Sequence, residues 1–202
     1  MPRAISGKNA IDDSPHRHED YMFFWTTSHV NGWASQWYPA PFTAQITISE
    51  VDETHQFPTT EHWMMLQKAL LFNDFEVARN VLDVTSTGKQ AMSNVKALGR
   101  KVKNFEDVVW KRRREQIVLE GNLLKFRQNR ELKEKLLGTG EKMIVEASPR
   151  DRIWGIGFGE KNALERFDSW GLNLLGKTLV QVRKMLREEG ASGQDVDVNV
   201  AD

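Results

Sequence analysis

Residues 172–186, LNLLGKTLVQVRKML, carry the most regular hydrophobic pattern in the chain. Leu172, Leu175, Leu179, Val182 and Leu186 follow one another at steps of 3, 4, 3 and 4. Such steps stack side chains on one face of a 3.6-residue turn, so the stretch reads as an amphipathic helix with its apolar face on a core. The same period recurs upstream. The longest helix is expected after Asn104 and up to Arg127, with Trp110, Ile117 and Leu124 seven residues apart on one face. A shorter helix follows over Arg130–Leu137 and ends at Gly138. Pro58-Thr59-Thr60-Glu61 reads as a helix start with Thr60 as N-cap, the helix running to Phe72. Asn73 and Glu76 stand at capping-box spacing before a helix with Phe75, Ala78 and Leu82 on its stripe. A helix over Lys89–Leu98 is expected to stop at Gly99. Strand candidates are few and short: the apolar run 21–25 (YMFFW), the alternating Ala44–Ile48, and Met143–Val145. The expected fold is therefore a helix-rich α+β single domain with a few short strands.

Composition sets the outer limits. The chain has 202 residues, enough for one well-buried core and short for two ordinary domains. Lys plus Arg and Asp plus Glu both number 28, so no overall field steers the protein toward nucleic acid or an anionic membrane. Any nucleic-acid contact has to come from a local patch. There is no cysteine, which excludes disulfides, thiolate metal sites and a Cys nucleophile. Apolar runs fall short of the roughly 18 residues that span a bilayer, and Met1–Asp20 has no hydrophobic signal core, so a cytoplasmic or nuclear location is expected. Residues 1–20 read as a flexible lead-in, 21–189 as the folded domain, and 190–202 (GASGQDVDVNVAD) as a disordered tail.

Three segments carry residue types suited to chemistry. In Thr59–Lys68 (TTEHWMMLQK), Glu61 and Lys68 are seven apart, on one helix face and roughly 10 Å apart along the axis. Their apolar neighbours Trp63, Met64, Met65 and Leu66 indicate a largely buried helix, where charges tend to be paired or functional. A solvated Glu and Lys on an outer face is the plain alternative. In Asp151–Gly159 (DRIWGIGFG), glycines at alternate positions allow close backbone approach to a phosphate, and Trp154 offers a stacking face. A simple turn and a core tryptophan are the alternatives. Gly99-Arg100 and the basic run Lys111–Arg114 offer cations to phosphates, or else a solvated face. His16 and His18 form an isolated HxH, His29, His55 and His62 show no ligand spacing with one another, and neither Ser35 nor Ser93 has a legible His and acid, so no metal, no cofactor and no serine triad are expected.

Taken in order, these segments resemble the NADAR family. Thr59-Thr60-Glu61-His62 with Gln67-Lys68 is similar to the family's T-S-E-H-Y…Q-K, and Gly99-Arg100 to its G-R, with Trp110 at the spacing of the following tryptophan. Val145-Glu146 with Asp151…Trp154-Gly155-Ile156-Gly157 resembles V-E…D…W-G-x-G, and Asn173-Leu174-Leu175-Gly176 with Val182-Arg183 resembles N-x-L-G…R. Two departures stand out. Ile156 replaces the Asp many members carry between the glycines, and Ala34-Ser35-Gln36-Trp37 replaces F-S-N-F. The resemblance implies a NADAR-like hydrolase that binds ADP-ribose or a ribose phosphate and cleaves an N-glycosidic bond. It implies Glu61 as the carboxylate of the reaction and Lys68 as proton donor or Schiff-base amine, with Asp151 as the carboxylate standing in for the missing Asp. It implies ligand contacts from Ser35, Trp37, His62, Arg100, Trp110, Trp154, Gly155, Ile156, Gly157 and Asn173. The leading expectation is removal of ADP-ribose from guanine bases of DNA or RNA. The alternatives are an N-glycosidase acting on phosphorylated ribosylamino-pyrimidine intermediates of riboflavin synthesis, and a non-catalytic ADP-ribose-binding module.

Overall fold

Helix α1, Thr60–Leu71, lies at the centre of the molecule and packs against α2 (Phe75–Leu82), α3 (Lys89–Arg100) and α4 (Asp107–Gln128). The computed structural model describes residues 16–194. Every residue from Thr60 to Leu66 is buried, as the apolar surroundings of Glu61 in the sequence require. Glycines let its neighbours close in. A Cβ on Gly121 of α4 would stand 2.4 Å from the Trp63 ring, whose indole N–H donates to the Ile117 carbonyl at 2.9 Å. Gly99 does not stop α3, which continues to Arg100. A Cβ there would fall 1.9 Å from Met65 Sδ, so this glycine serves close helix packing, not termination.

Helix α5 (Arg130–Gly138) leads to the strand β4, Met143–Glu146, and α6 (Leu174–Gln194) packs on both α4 and β4. Leu175, Leu179, Val182 and Leu186 of α6 are buried as expected, but Leu172 is 49% exposed. The helix starts two residues later than the pattern indicates, because Asn173 adopts a left-handed φ of 50° and turns the chain just before it. α6 also continues past Gly190, and the rest of the expected tail (195–202), like residues 1–15 of the expected lead-in, lies outside the described residues.

Helix starts are displaced by a residue in two places. Thr59, not Thr60, caps α1, its hydroxyl accepting from the His62 N–H. Asp74, not Asn73, caps α2, and the buried stripe there is Val77, Ala78 and Val81, with Phe75 38% exposed. Both shifts follow from an acceptor side chain that had a neighbour of equal capping propensity.

Two strand pairs complete the domain. β2 (Phe42–Ile48) alternates buried and exposed positions and pairs antiparallel with β3 (Val51–Phe57). β3 carries no apolar alternation and escapes a sequence reading; Glu53 within it pairs with Arg79 of α2 and with His55. β1 (Tyr21–Phe24) runs parallel to β4, with Phe24 opposite Glu146. The loops leaving the carboxyl ends of two adjacent parallel strands thus emerge together, the usual place for a ligand crevice in α/β pairings. Among the described residues, no helix is long and apolar enough to cross a membrane.

Candidate active site

A cleft of about 730 Å³ opens at that end of the β1–β4 pair. Its floor is one face of α1: Glu61, Met64, Met65 and Lys68, at helical offsets 0, 3, 4 and 7. The shared face expected of Glu61 and Lys68 is therefore the face that meets the cleft. Lys89, Lys96 and Arg100 of α3 line one side, and Trp110 of α4 stands near Lys68. The loop after β1 brings Ser35, Gln36 and Trp37, and the chain after β4 brings Asp151 and Trp154.

Two charged groups on α1 are shaped by burial. Glu61 is 7% exposed, and burial raises its pKa against the opposing pull of Lys96 and the Trp37 indole; Asp151 adds to the rise. Lys68 Nζ donates to the Gly99 carbonyl at 2.6 Å and sits 4.2 Å from the Phe105 ring centre and 5.6 Å from that of Trp110. Burial lowers its pKa, while the carbonyl and the two rings hold an ammonium in place.

The loop walls are pinned from behind. Lys125, fully buried on α4, donates from Nζ to the carbonyls of Trp33 (2.8 Å) and Ser35 (3.1 Å). Ser35 Oγ accepts from the Trp37 N–H at 3.2 Å, and Asn122 holds the Gln36 amide oxygen at 3.0 Å. On the other side Asp151 Oδ1 accepts from the N–H groups of Ile153 and Trp154, both at 2.8 Å, which sets the Trp154 ring. Arg114, the last residue of the basic run, turns inward with its guanidinium 5.9 Å from that ring. Lys111 of the same run pairs with Asp107 at 2.6 Å, leaving Arg112 and Arg113 exposed.

Of the residues expected at the site, Glu61, Lys68, Asp151, Ser35, Trp37, Arg100, Trp110 and Trp154 line the cleft. Five others do not, and each has a packing role. His62 is 1% exposed with Nδ1 on the Thr59 hydroxyl at 2.9 Å, and burial depresses its pKa to about 4, so it is a neutral core histidine. Ile156 is buried in an apolar cluster with Tyr21, Phe23 and Val145. Gly155, Gly157 and Asn173 shape the main chain: a Cβ on Gly155 would lie 2.7 Å from the Glu146 carbonyl, Gly157 has a φ of 79°, and the Asn173 amide bonds to β4. The glycine loop packs behind β4, outside the lining of the cleft.

Titratable residues that line the cleft but were absent from the sequence reading of the site include Glu146 and Lys96, with Lys89 and Arg150 at its rim. Burial, then Asp151 and Glu61, push the Glu146 pKa up to about 8, with Lys96 opposing. Glu61, Glu146 and Asp151 thus form one interacting set of carboxylates facing a lysine. Glu146 stood in a two-residue match without a role, and Lys96 is one of many lysines on a helix; neither has local spacing that marks it.

A helix-rich α+β domain with acid, amine and aromatic groups around one cleft is the class that fold and site define. The NADAR domain model matches residues 23–187, and the chain belongs to the NADAR family. It is 41% identical over 152 residues to N-glycosidase R617 of Acanthamoeba polyphaga mimivirus, across 74% of this chain and 85% of that one. It is 32% identical over 173 residues to Protein irg-1 of Caenorhabditis elegans, across 80% and 79% of the two chains. The NMR structure of the E. coli protein YbiA shares the fold, with a TM-score of 0.65 at 24% identity over 89% of this chain and 92% of YbiA.

Proposed function

We propose that the protein is an N-glycosidase that hydrolyses the bond between a ribose anomeric carbon and a base nitrogen, and that its substrate is ADP-ribose carried on guanine in DNA or RNA. The observation that carries this reading is the opening of Glu61 and Lys68 into one cleft walled by Trp37, Trp110 and Trp154. Similarity to a relative named an N-glycosidase supports the bond type. The cleft volume of about 730 Å³ suits a nucleotide-sized ligand. Lys89, Lys96, Arg100 and Arg150 give its rim the cations that phosphates need, in a chain with no net charge to attract them otherwise.

Breaking an N-glycosidic bond builds positive charge on the ribose ring, which a carboxylate stabilises. Glu61 is the carboxylate placed for that, and it draws the proton from the attacking water. Lys68, held as an ammonium by Gly99 and the Phe105 and Trp110 rings, faces the ribose oxygens from the far end of the same helix face. The tryptophans stack on base and sugar.

Incubation with an oligonucleotide carrying ADP-ribosylated guanine, and in parallel with phosphorylated ribosylamino-pyrimidines, tests the reading. Mass spectrometry should show ADP-ribose released from the first. Glu61→Gln and Lys68→Ala should each lower kcat, by roughly a hundredfold or more. A protein that binds ADP-ribose in calorimetry but releases nothing from either substrate would be a binding module. Borohydride added during turnover should leave Lys68 unmodified; a trapped ribosyl adduct would replace the ammonium role with a Schiff base.

A further inference from the structure

Resting on the N-glycosidase reading, we infer that Glu146, standing unpartnered at the end of β4 and open to the cleft beside Glu61, is the acid that gives a proton to the departing base nitrogen. Its side chain lines the cleft, and its Oε2 is buried with no hydrogen-bond partner among the described residues. A buried carboxyl oxygen left without a partner is costly unless the group is neutral or a ligand supplies the missing bond.

The surroundings of Glu146 make the same point from the main chain. Its N–H donates to Asn173 Oδ1 at 3.1 Å, and its carbonyl accepts from the Ile156 N–H at 3.0 Å. The Asn173 Nδ2 donates to the Ile144 carbonyl at 2.9 Å, and the next N–H along, that of Ala147, bonds to the Phe24 carbonyl at 2.8 Å. Two glycines admit this closeness. A Cβ on Gly155 would meet the Glu146 carbonyl at 2.7 Å, and one on Gly176 would meet the Ile144 carbonyl at 2.1 Å. The Trp154-Gly155-Ile156-Gly157 and Asn173…Gly176 segments thus close on the end of β4, with Ile156 and Asn173 holding the Glu146 main chain on both sides while its Oε2 stays unbonded. A structural glutamate would spend its carboxylate on a partner; this one is fixed in place with its oxygen free.

The groups that face it are Glu61 from α1, Lys96 from α3 and Asp151 from the chain beyond β4. Burial and the two carboxylates push its pKa up to about 8, keeping it protonated at neutral pH, and Lys96 tempers the rise. Two interacting carboxylates, one of them pushed up to about 8, can supply the acid and the base that one hydrolysis needs. As the C–N bond breaks, its electron pair passes to the base nitrogen, which takes the Glu146 proton. Water adds to the anomeric carbon and loses a proton to Glu61. Transfer from Glu61 to Glu146 then restores both groups, and the sum is one water consumed, one free base and one ribose hydroxyl formed. Asn173 is a positioning residue in this scheme.

The test is the pH–rate profile of wild type, Glu146→Gln and Glu146→Asp on the ADP-ribosyl-guanine oligonucleotide. Wild-type kcat should fall as pH rises through about 8, as the acid loses its proton. Glu146→Gln keeps size but has no proton to give; its kcat should drop by roughly a hundred- to ten-thousandfold with KM little changed, and the alkaline limb should vanish. Glu146→Asp should restore that limb at reduced rate. Wild-type kcat in Glu146→Gln, or a lowered kcat with the alkaline limb intact, would overturn the assignment. A wild type that frees no base from any ribosyl substrate would instead overturn the N-glycosidase reading, and this one with it.

Discussion

Lys125 carries an amine into the core, where two carbonyls of the cleft wall receive it. Burial lowers its pKa from 10.5 to about 7. Between those values the unfolded chain holds the proton more tightly than the folded one, so stability gained from this residue grows as pH rises from about 7 toward 10.5. Lys125→Met leaves the Trp33 carbonyl unpaired and the Ser35 carbonyl with the Tyr38 N–H alone, and should cost about 1–3 kcal/mol in urea melts, the deficit widening as the buffer is made alkaline. Glu146 has the opposite sign. Its folded pKa of about 8 lies above the 4.5 of a free glutamate, so the folded state holds the proton more tightly and stability is lost as pH rises between the two. Glu146→Gln should therefore melt above the wild type at pH values beyond about 8, and gain less near pH 5. An acid that weakens the fold in its ionised form while serving the reaction is the familiar conflict of active-site burial.

At the scale of elements, α1 is the part on which the site is mounted. Glu61, Met64, Met65 and Lys68 present one face to the cleft, and Trp63, on another face, meets α4 over Gly121. Gly121→Ala would drive a methyl into the Trp63 ring and push the two helices apart. The expected cost is about 1–3 kcal/mol in thermal or urea unfolding, with a loss of kcat as α1 shifts against Glu146 and Asp151. Wild-type stability and activity in this variant would show that the Trp63 ring has room to turn. The face itself was legible, since seven residues are two helical turns wherever the helix lies. The direction of the face was not, because Thr60–Leu66 are buried on all sides and no polar stripe marks the exterior. On α2 the apolar arc is continuous and Phe75 lies at its edge, so Phe75 stood in the expected stripe although the buried centre of the arc is Val77, Ala78 and Val81.

Across the whole molecule the charges sum to zero, yet the cleft draws Lys68, Lys89, Lys96, Arg100 and Arg150 to its lining. Binding of a phosphorylated ligand should weaken several-fold between about 0.05 and 0.3 M salt, because exposed cations are screened over that range. The melting temperature should hardly move, since the surface ion pairs contribute little to stability. What the sequence determined alone is what repeats locally. The helices of the core, the β2 alternation and the shared face of Glu61 and Lys68 follow from periods of 3.6 and 2 that need no knowledge of distant residues. The partners of that face came from tertiary structure. Glu146 reaches the cleft because residues 143–146 pair in parallel with 21–24, and Asn173 and Gly155 close on it from later in the chain. Those contacts join segments far apart in sequence, through backbone hydrogen bonds that leave no side-chain period behind. For the same reason the glycine loop and Asn173 read as ligand contacts in the sequence, and only the packed structure turns them toward the strand that carries the acid.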